Sequence, residues 1–188
     1  NESVNIAEEV VQRNLRVTFD DLYQKAHDIQ TKCKDFNVEE ANLNNVRFNE
    51  HTSRLAYIPE ETGVMRETEL SRYSMSQLCS RLGVPIRYID KCFATGRTEL
   101  VAENINSWVQ DFNRSLFIRE YDNHIRGILS DRYVTLDTPD IMEVVADVID
   151  SSQYSTKGYY LSPERFHARI VQNDMMNVAG EDLFAGVQ

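Results

Sequence analysis

The sequence has no apolar run near the ~20 residues needed to span a bilayer, so no membrane association is expected. Its first residues, Asn1-Glu2-Ser3-Val4, form neither the basic nor the apolar segment of a secretory signal. No Met stands at position 1, so a trimmed sequence is expected. Cysteine is scarce. Cys33, Cys79 and Cys92 are odd in number, and no two of them form a CxxC. That argues against a disulfide framework and for reduced thiols in a cytoplasmic protein.

Several kinds of chemistry are also missing. There is no GxxxxGK[ST] phosphate loop, no GxGxxG and no GxSxG. His27, His51, His124 and His167 are scattered, and none pairs with another His or Cys at metal-ligand spacing. No metal, no cofactor and no enzymatic activity are expected, because reaction chemistry needs a constellation that the sequence does not display. Internal repeats and low-complexity stretches are absent as well.

Charge is abundant and unevenly placed. The 188 residues carry 20 Lys/Arg against 30 Asp/Glu, a net charge of −10. Residues 1–70 hold 8 basic against 14 acidic groups, residues 71–132 hold 9 against 7, and residues 133–188 hold 3 against 9. Only the middle has a positive balance. Such a protein is not built to coat duplex DNA with its whole surface, but it can bind an anion locally or dock on a basic protein.

Periodicity predicts helices over 4–13, about 18–35, 74–82, 85–92, 98–112 and 139–149. The punctuation agrees: Thr18 or Asp20 caps the second of these, Ser74 or Ser76 the third, and Thr138-Pro139 opens the last. Gly83 supplies a C-terminal turn and Pro85 starts the following helix. Residues 45–58 read as a hairpin and 59–69 as an acidic loop with Pro59 and Gly63. Residues 159–172 read as extended with a bend at Pro163, and 173–188 as loop-like, ending where Phe184 opens a further strand. The expected fold class is α+β: a small antiparallel sheet with a central β-hairpin covered by helices, the 139–149 helix lying on its core face. An N-terminal helical segment, 1–44, precedes an α+β domain, 45–188, expected to be truncated at its C-terminus.

The central hairpin lies in 115–135, rich in β-branched and aromatic residues, with Asp122-Asn123 as a tight turn. A two-residue turn pairs Arg119 with Arg126 and Leu116 with Leu129. One face then carries Leu116, Ile118, Ile125, Gly127 and Leu129, and the other Phe117, Arg119, Tyr121, His124 and Arg126. Two arginines directly opposite each other are unfavourable unless an acid or an anionic ligand offsets them. Arginines interleaved with rings suit single-stranded nucleic acid. Arg165, His167 and Arg169 share one face of the later strand and extend this surface if it joins the same sheet. The competing reading is a solvated face, its arginines paired with Glu120, Asp131 or Glu164. The helix pair at 74–92, with Arg81, Arg87 and Lys91, has the outline of a helix-turn-helix, though nothing marks a recognition helix.

The run from Gln77 through Leu82-Gly83-Val84-Pro85 to Ile89, then Asn104 to Trp108, then Arg126-Gly-Ile-Leu-Ser-Asp-Arg-Tyr133 followed by Asp137, resembles the phage- and plasmid-related family called domain of unknown function 932. The resemblance covers about residues 70–188, with Gly127 where that family often has Ala. It implies residence on a mobile element and implies no activity. In Ser130-Asp131-Arg132-Tyr133, the aspartate suits a structural role at the strand exit, and Arg132 either supports it or meets a ligand. Together these readings predict a DNA-metabolism accessory that binds and anneals single-stranded DNA through Phe117, Arg119, Tyr121, Arg126, Arg132, Arg165 and Arg169. The alternative is an acidic protein–protein module that inhibits a host defence or nucleic-acid enzyme. A third is a homo-oligomeric assembly subunit with the acidic helices of 4–35 as its contact.

Overall fold

A computed structural model describes residues 12–148, 154–161, 166–178 and 181–187. The predicted helix over 4–13 falls largely outside them, as do Pro163 and Arg165. The fold is α+β, as expected, with two sheets in place of one. The chain divides into two compact units. One is the continuous stretch Cys33–Val134; the other combines Asn1–Lys32 with Thr135–Gln188. The division therefore falls near residues 32 and 134 rather than at 44, because the chain leaves the second unit, builds the first and returns.

In the discontinuous unit, β1 (Gln12–Val17) is followed by α1 (Phe19–Thr31). Thr18 caps α1: its hydroxyl accepts from Asp21 N–H at 3.1 Å, while the Asp21 carboxylate accepts from Thr18 N–H at 3.2 Å. Later come α5 (Thr138–Val148), β8 (Tyr154–Leu161), β9 (Phe166–Val178) and β10 (Glu181–Val187). The strands form a sheet in the order β1-β8-β9-β10. The reading of 173–188 as loop is thus corrected: β9 runs on to Val178 and pairs with β10. The core here is Leu22, Ala26, Met142 and Tyr159. The central hairpin, which α5 was expected to cover, belongs to the continuous unit, whereas α5 packs against α1 within this one. Its cap is Asp137, whose N–H donates to Asp140, rather than Thr138. Its buried residues are Pro139 and Met142, whereas Ile141, Val144 and Val148 of the expected stripe are exposed.

The continuous unit opens with β2 (Cys33–Val38), where the sequence predicted more helix. A 3-10 turn at Glu40–Asn45 leads to β3 (Arg47–Asn49) and β4 (Arg54–Tyr57), the expected hairpin, and then β5 (Arg66–Leu70). Helices α2 (Arg72–Leu82), α3 (Ile86–Ala94) and α4 (Thr98–Gln110) follow. Ser71, not Ser74 or Ser76, caps α2, and Gly83 ends it in the left-handed region at φ 71°. Pro85 is the cap residue before α3 rather than its first turn. Strands β6 (Leu116–Tyr121) and β7 (His124–Ser130) complete a six-stranded sheet in the order β2-β6-β7-β5-β4-β3. It is larger than the expected small sheet. It is also mixed, because β5 runs parallel to β7.

This unit has its own core, drawn from both the sheet and the helices. Leu78, Ile89, Val101 and Ile105 pack with Leu55, Tyr57, Leu116, Ile118, Ile125 and Ile128. Two side-chain amides tie helices to strand backbone. Asn106 of α4 accepts from Phe48 N–H at 2.6 Å and donates to Phe48 C=O at 3.1 Å, occupying the edge strand β3. On β7, Gln77 accepts from Ile128 N–H at 2.9 Å, and Arg81 Nε–H donates to Ile128 C=O at 3.0 Å. The β5–β7 pairing involves Glu69–His124 and Leu70–Ile125, so these α2 side chains satisfy β7 where β5 has diverged.

Candidate nucleic-acid interface

The hairpin turn forms as the sequence suggests: Asp122 and Asn123 have φ of 48° and 63°, a conformation their short polar side chains tolerate. The register holds only to the first two pairs. Tyr121 faces His124 and Glu120 faces Ile125, but Arg119 then faces Gly127, Ile118 faces Ile128 and Phe117 faces Leu129. A bulge absorbs Arg126 as the extra residue. The expected Arg119–Arg126 pair therefore does not exist. Ile128 takes the core position that had been assigned to Leu129.

Arg119 is buried, at 6% exposure. Its neighbour across β2 is Asp35, which it grips with two hydrogen bonds of 2.6 Å, Nε to Oδ1 and Nη2 to Oδ2. This side chain is spent on the fold. Arg126 is half-buried and donates from Nη1 to Cys33 Sγ at 3.2 Å. Phe117 is half-buried and lies 5.3 Å, centroid to centroid, from Tyr133. Tyr121 sits beside the turn, and Arg132 is exposed just beyond β7. Arg169 is exposed on β9, which belongs to the other sheet, so the two basic faces do not share one sheet.

The sequence reading missed Glu120. Strand parity puts it inward with Leu116 and Ile118, and it is 1% exposed. It accepts from Tyr57 Oη at 2.6 Å, Thr68 Oγ1 at 2.6 Å, Arg66 Nε at 3.2 Å and Arg66 Nη2 at 2.5 Å. Arg66 also lies over the Phe36 ring, 4.7 Å from its centroid. Burial alone pushes the Glu120 carboxyl up, but hydrogen bonds from Arg66, Thr68 and Tyr57 outweigh it and hold the pKa below the ordinary carboxylate value. Burial, then the hydrogen bond to Glu120, pushes the Tyr57 phenol well above its usual value. Four hydrogen bonds from Tyr57, Thr68 and Arg66 fill this carboxylate's acceptor positions. It is a structural centre.

One surface with spare charge among the described residues lies at the open end of the hairpin, in a cleft of about 360 Å³. Helix α2 contributes Gln77, Ser80 and Arg81; the approach to β6 contributes Phe112, Arg114 and Ser115; the end of β7 contributes Ser130 and Asp131. The two motif stretches at 77–88 and 126–133 thus converge on one cleft. Arg81 is partly buried, and no carboxylate among the described residues stands at ion-pair distance from it. Burial pulls its pKa down and Asp131, somewhat further off, pulls it up. Arg114 is exposed and has no hydrogen-bond partner among the described residues. The Phe117–Tyr133 pair flanks the same end, since Leu116 faces Ser130 and Tyr133 N–H donates to Ser130 C=O. An Ala Cβ at Gly127 would lie 3.5 Å from Gln77 Oε1, an ordinary contact that leaves the clamp in place.

Among the described residues no group of His, Cys, Asp and Glu has a metal-binding arrangement, and no helix is long and apolar enough to cross a membrane. Cys79 is a core residue whose thiol burial pushes up to about 11. Comparison of the chain with protein-family models, curated proteins and solved structures finds no match.

Proposed function

We propose that this chain is a non-enzymatic, single-strand-binding accessory of phage or plasmid DNA metabolism, acting in the bacterial cytoplasm through the continuous unit Cys33–Val134. The supporting observation is the cleft at the hairpin's open end, with Arg81 lacking an ion-pair partner among the described residues and Arg114 exposed; the Phe117–Tyr133 ring pair lies at the same end of the hairpin, outside the cleft's lining. Phosphates meet guanidiniums and bases stack on rings. Arg81 and Arg114 take the place of Arg119 among the proposed contacts, Arg132 is kept, and Arg126 and Tyr121 remain at the margin. Charge placement favours this unit. It holds 13 Lys/Arg against 15 Asp/Glu, whereas the discontinuous unit holds 7 against 15. The acidic surplus therefore belongs mostly to the other unit. The phage or plasmid setting rests on the resemblance to domain of unknown function 932. Fluorescence anisotropy with a labelled single strand tests the proposal: salt-sensitive binding weakened by Arg114→Glu supports it.

That acidic surplus favours a second reading, in which the discontinuous unit docks on a basic host protein. A basic partner retained from host lysate after nuclease treatment, and lost at high salt, supports it.

A further inference from the structure

We infer that the cleft between α2 and the open end of the β6–β7 hairpin is a binding site for a phosphorylated small unit, a nucleoside monophosphate or its chemical equivalent. The inference goes beyond strand binding, because its ligand is a single phosphate with the group attached to it. The geometry has three parts. Arg81 is anchored through Nε to the Ile128 carbonyl, which fixes its fork and leaves the terminal N–H groups for the cleft. A partly buried guanidinium with no ion-pair partner among the described residues, eased only by Asp131 from further off, is costly unless an anion completes it. Arg114 brings a second positive charge to the same cleft, and Ser80, Ser115 and Ser130 bring hydroxyl donors. This is phosphate chemistry: several convergent donors around a fork held in one orientation.

Asp131 narrows the ligand class. It adds one negative charge beside two positive ones, and so leaves a local balance that suits a phosphate carrying one to two charges. A carboxylate in that place also accepts from a neutral donor, such as a sugar hydroxyl or an exocyclic amine. A bare inorganic anion uses the arginines but leaves Asp131 without that partner. A phosphate with an attached hydroxyl-bearing group satisfies both ends. The size agrees, since about 360 Å³ falls at the small-ligand end of ordinary binding sites. Two sources fit: a free mononucleotide, or the terminal nucleotide of a strand.

The test is an amide NMR titration of the full chain. Inorganic phosphate, thymidine monophosphate, and a short thymidine oligonucleotide with and without a terminal phosphate are added in turn, at constant ionic strength. The inference predicts saturable shifts confined to residues 77–81, 112–115 and 128–131, with thymidine monophosphate binding about tenfold more tightly than phosphate. Arg114→Gln, an exposed side chain, should weaken both by about fivefold or more with the spectrum otherwise intact. Ser80→Glu, which puts a negative charge at the rim, should do the same. An advantage for the phosphorylated oligonucleotide, removed by competing thymidine monophosphate, assigns the site to strand ends; no such advantage assigns it to free nucleotides. The inference is overturned by the lack of any saturable, localised response up to about 20 mM of either small ligand. Equal affinity in wild type, Arg114→Gln and Ser80→Glu would overturn it too. Loss of oligonucleotide binding with the monophosphate response intact counts against strand binding alone.

Discussion

At the scale of single residues, the two most buried charged side chains among the described residues both belong to β6, and neither is available to a ligand. Arg119 is closed by Asp35 and Glu120 by Tyr57, Arg66 and Thr68. Removing one member of a buried charged pair leaves the other uncompensated. Glu120→Ala should therefore cost about 3 kcal/mol in urea unfolding, with Tyr57, Thr68 and Arg66 all losing their acceptor. The pH dependence follows from the same carboxylate. Its pKa is lowered on folding, so its contribution is complete above the ordinary unfolded value of about 4.3 and is lost as pH falls through the lower folded value. The wild type should thus lose stability on acidification below about pH 5, and Glu120→Gln should flatten that slope. An unchanged slope in the variant would contradict the assignment. Arg119→Ala should cost less, about 1–2 kcal/mol, because Asp35 keeps a third of its surface in water.

At the scale of elements, the clamp of α2 on β7 positions the cleft. Gln77→Leu leaves the Ile128 N–H without its acceptor and should cost about 1–3 kcal/mol. Gly127→Ala should be nearly neutral, within about 0.5 kcal/mol, because its Cβ meets only ordinary contacts. Thermal unfolding of the two variants checks both. Element by element, the sequence was legible where apolar periodicity or turn chemistry spoke: α2 with Gly83, α4, the 47–57 hairpin, and the Asp122-Asn123 turn. It was illegible where polar groups face inward. Strand β5, Arg-Glu-Thr-Glu-Leu, reads as loop because its inward residues Arg66 and Thr68 serve Glu120 rather than an apolar core. Strand β2 was absorbed into the preceding helix because no Gly or Pro separates Thr31 from Cys33. The bulge at Arg126 has no advance signal beyond Gly127. It alone undoes the Arg119–Arg126 face, since one slipped residue exchanges the two sides of the strand.

At the scale of the whole molecule, the described residues form two hydrophobic cores, one in each unit. Residues 33–134 are continuous and hold the larger hydrophobic cluster, so that fragment should fold by itself with a cooperative melt. A non-cooperative melt of the fragment would show that it needs the flanking unit. The cleft residues contributed by α2 and by the end of β7 were visible in the sequence within the 77–88 and 126–133 stretches. Their convergence was not, because it depends on α2 crossing β7 more than 40 residues downstream in the chain, the Gln77–Ile128 separation being 51. Arg114 and Ser115 carried no signal at all, lying in a short connection between α4 and β6.

The central claim is that the continuous unit binds a single strand at this cleft. The most direct measurement is the anisotropy of a labelled single-stranded oligonucleotide titrated with the full chain across a salt series, for wild type, Arg119→Ala and Arg114→Glu. The account predicts a log–log salt slope of about −2 for wild type, from three arginine contacts, a similar slope and affinity for folded Arg119→Ala, and at least about tenfold weaker binding for Arg114→Glu. No binding at low salt, or binding that Arg119→Ala abolishes while Arg114→Glu leaves it intact, would contradict it.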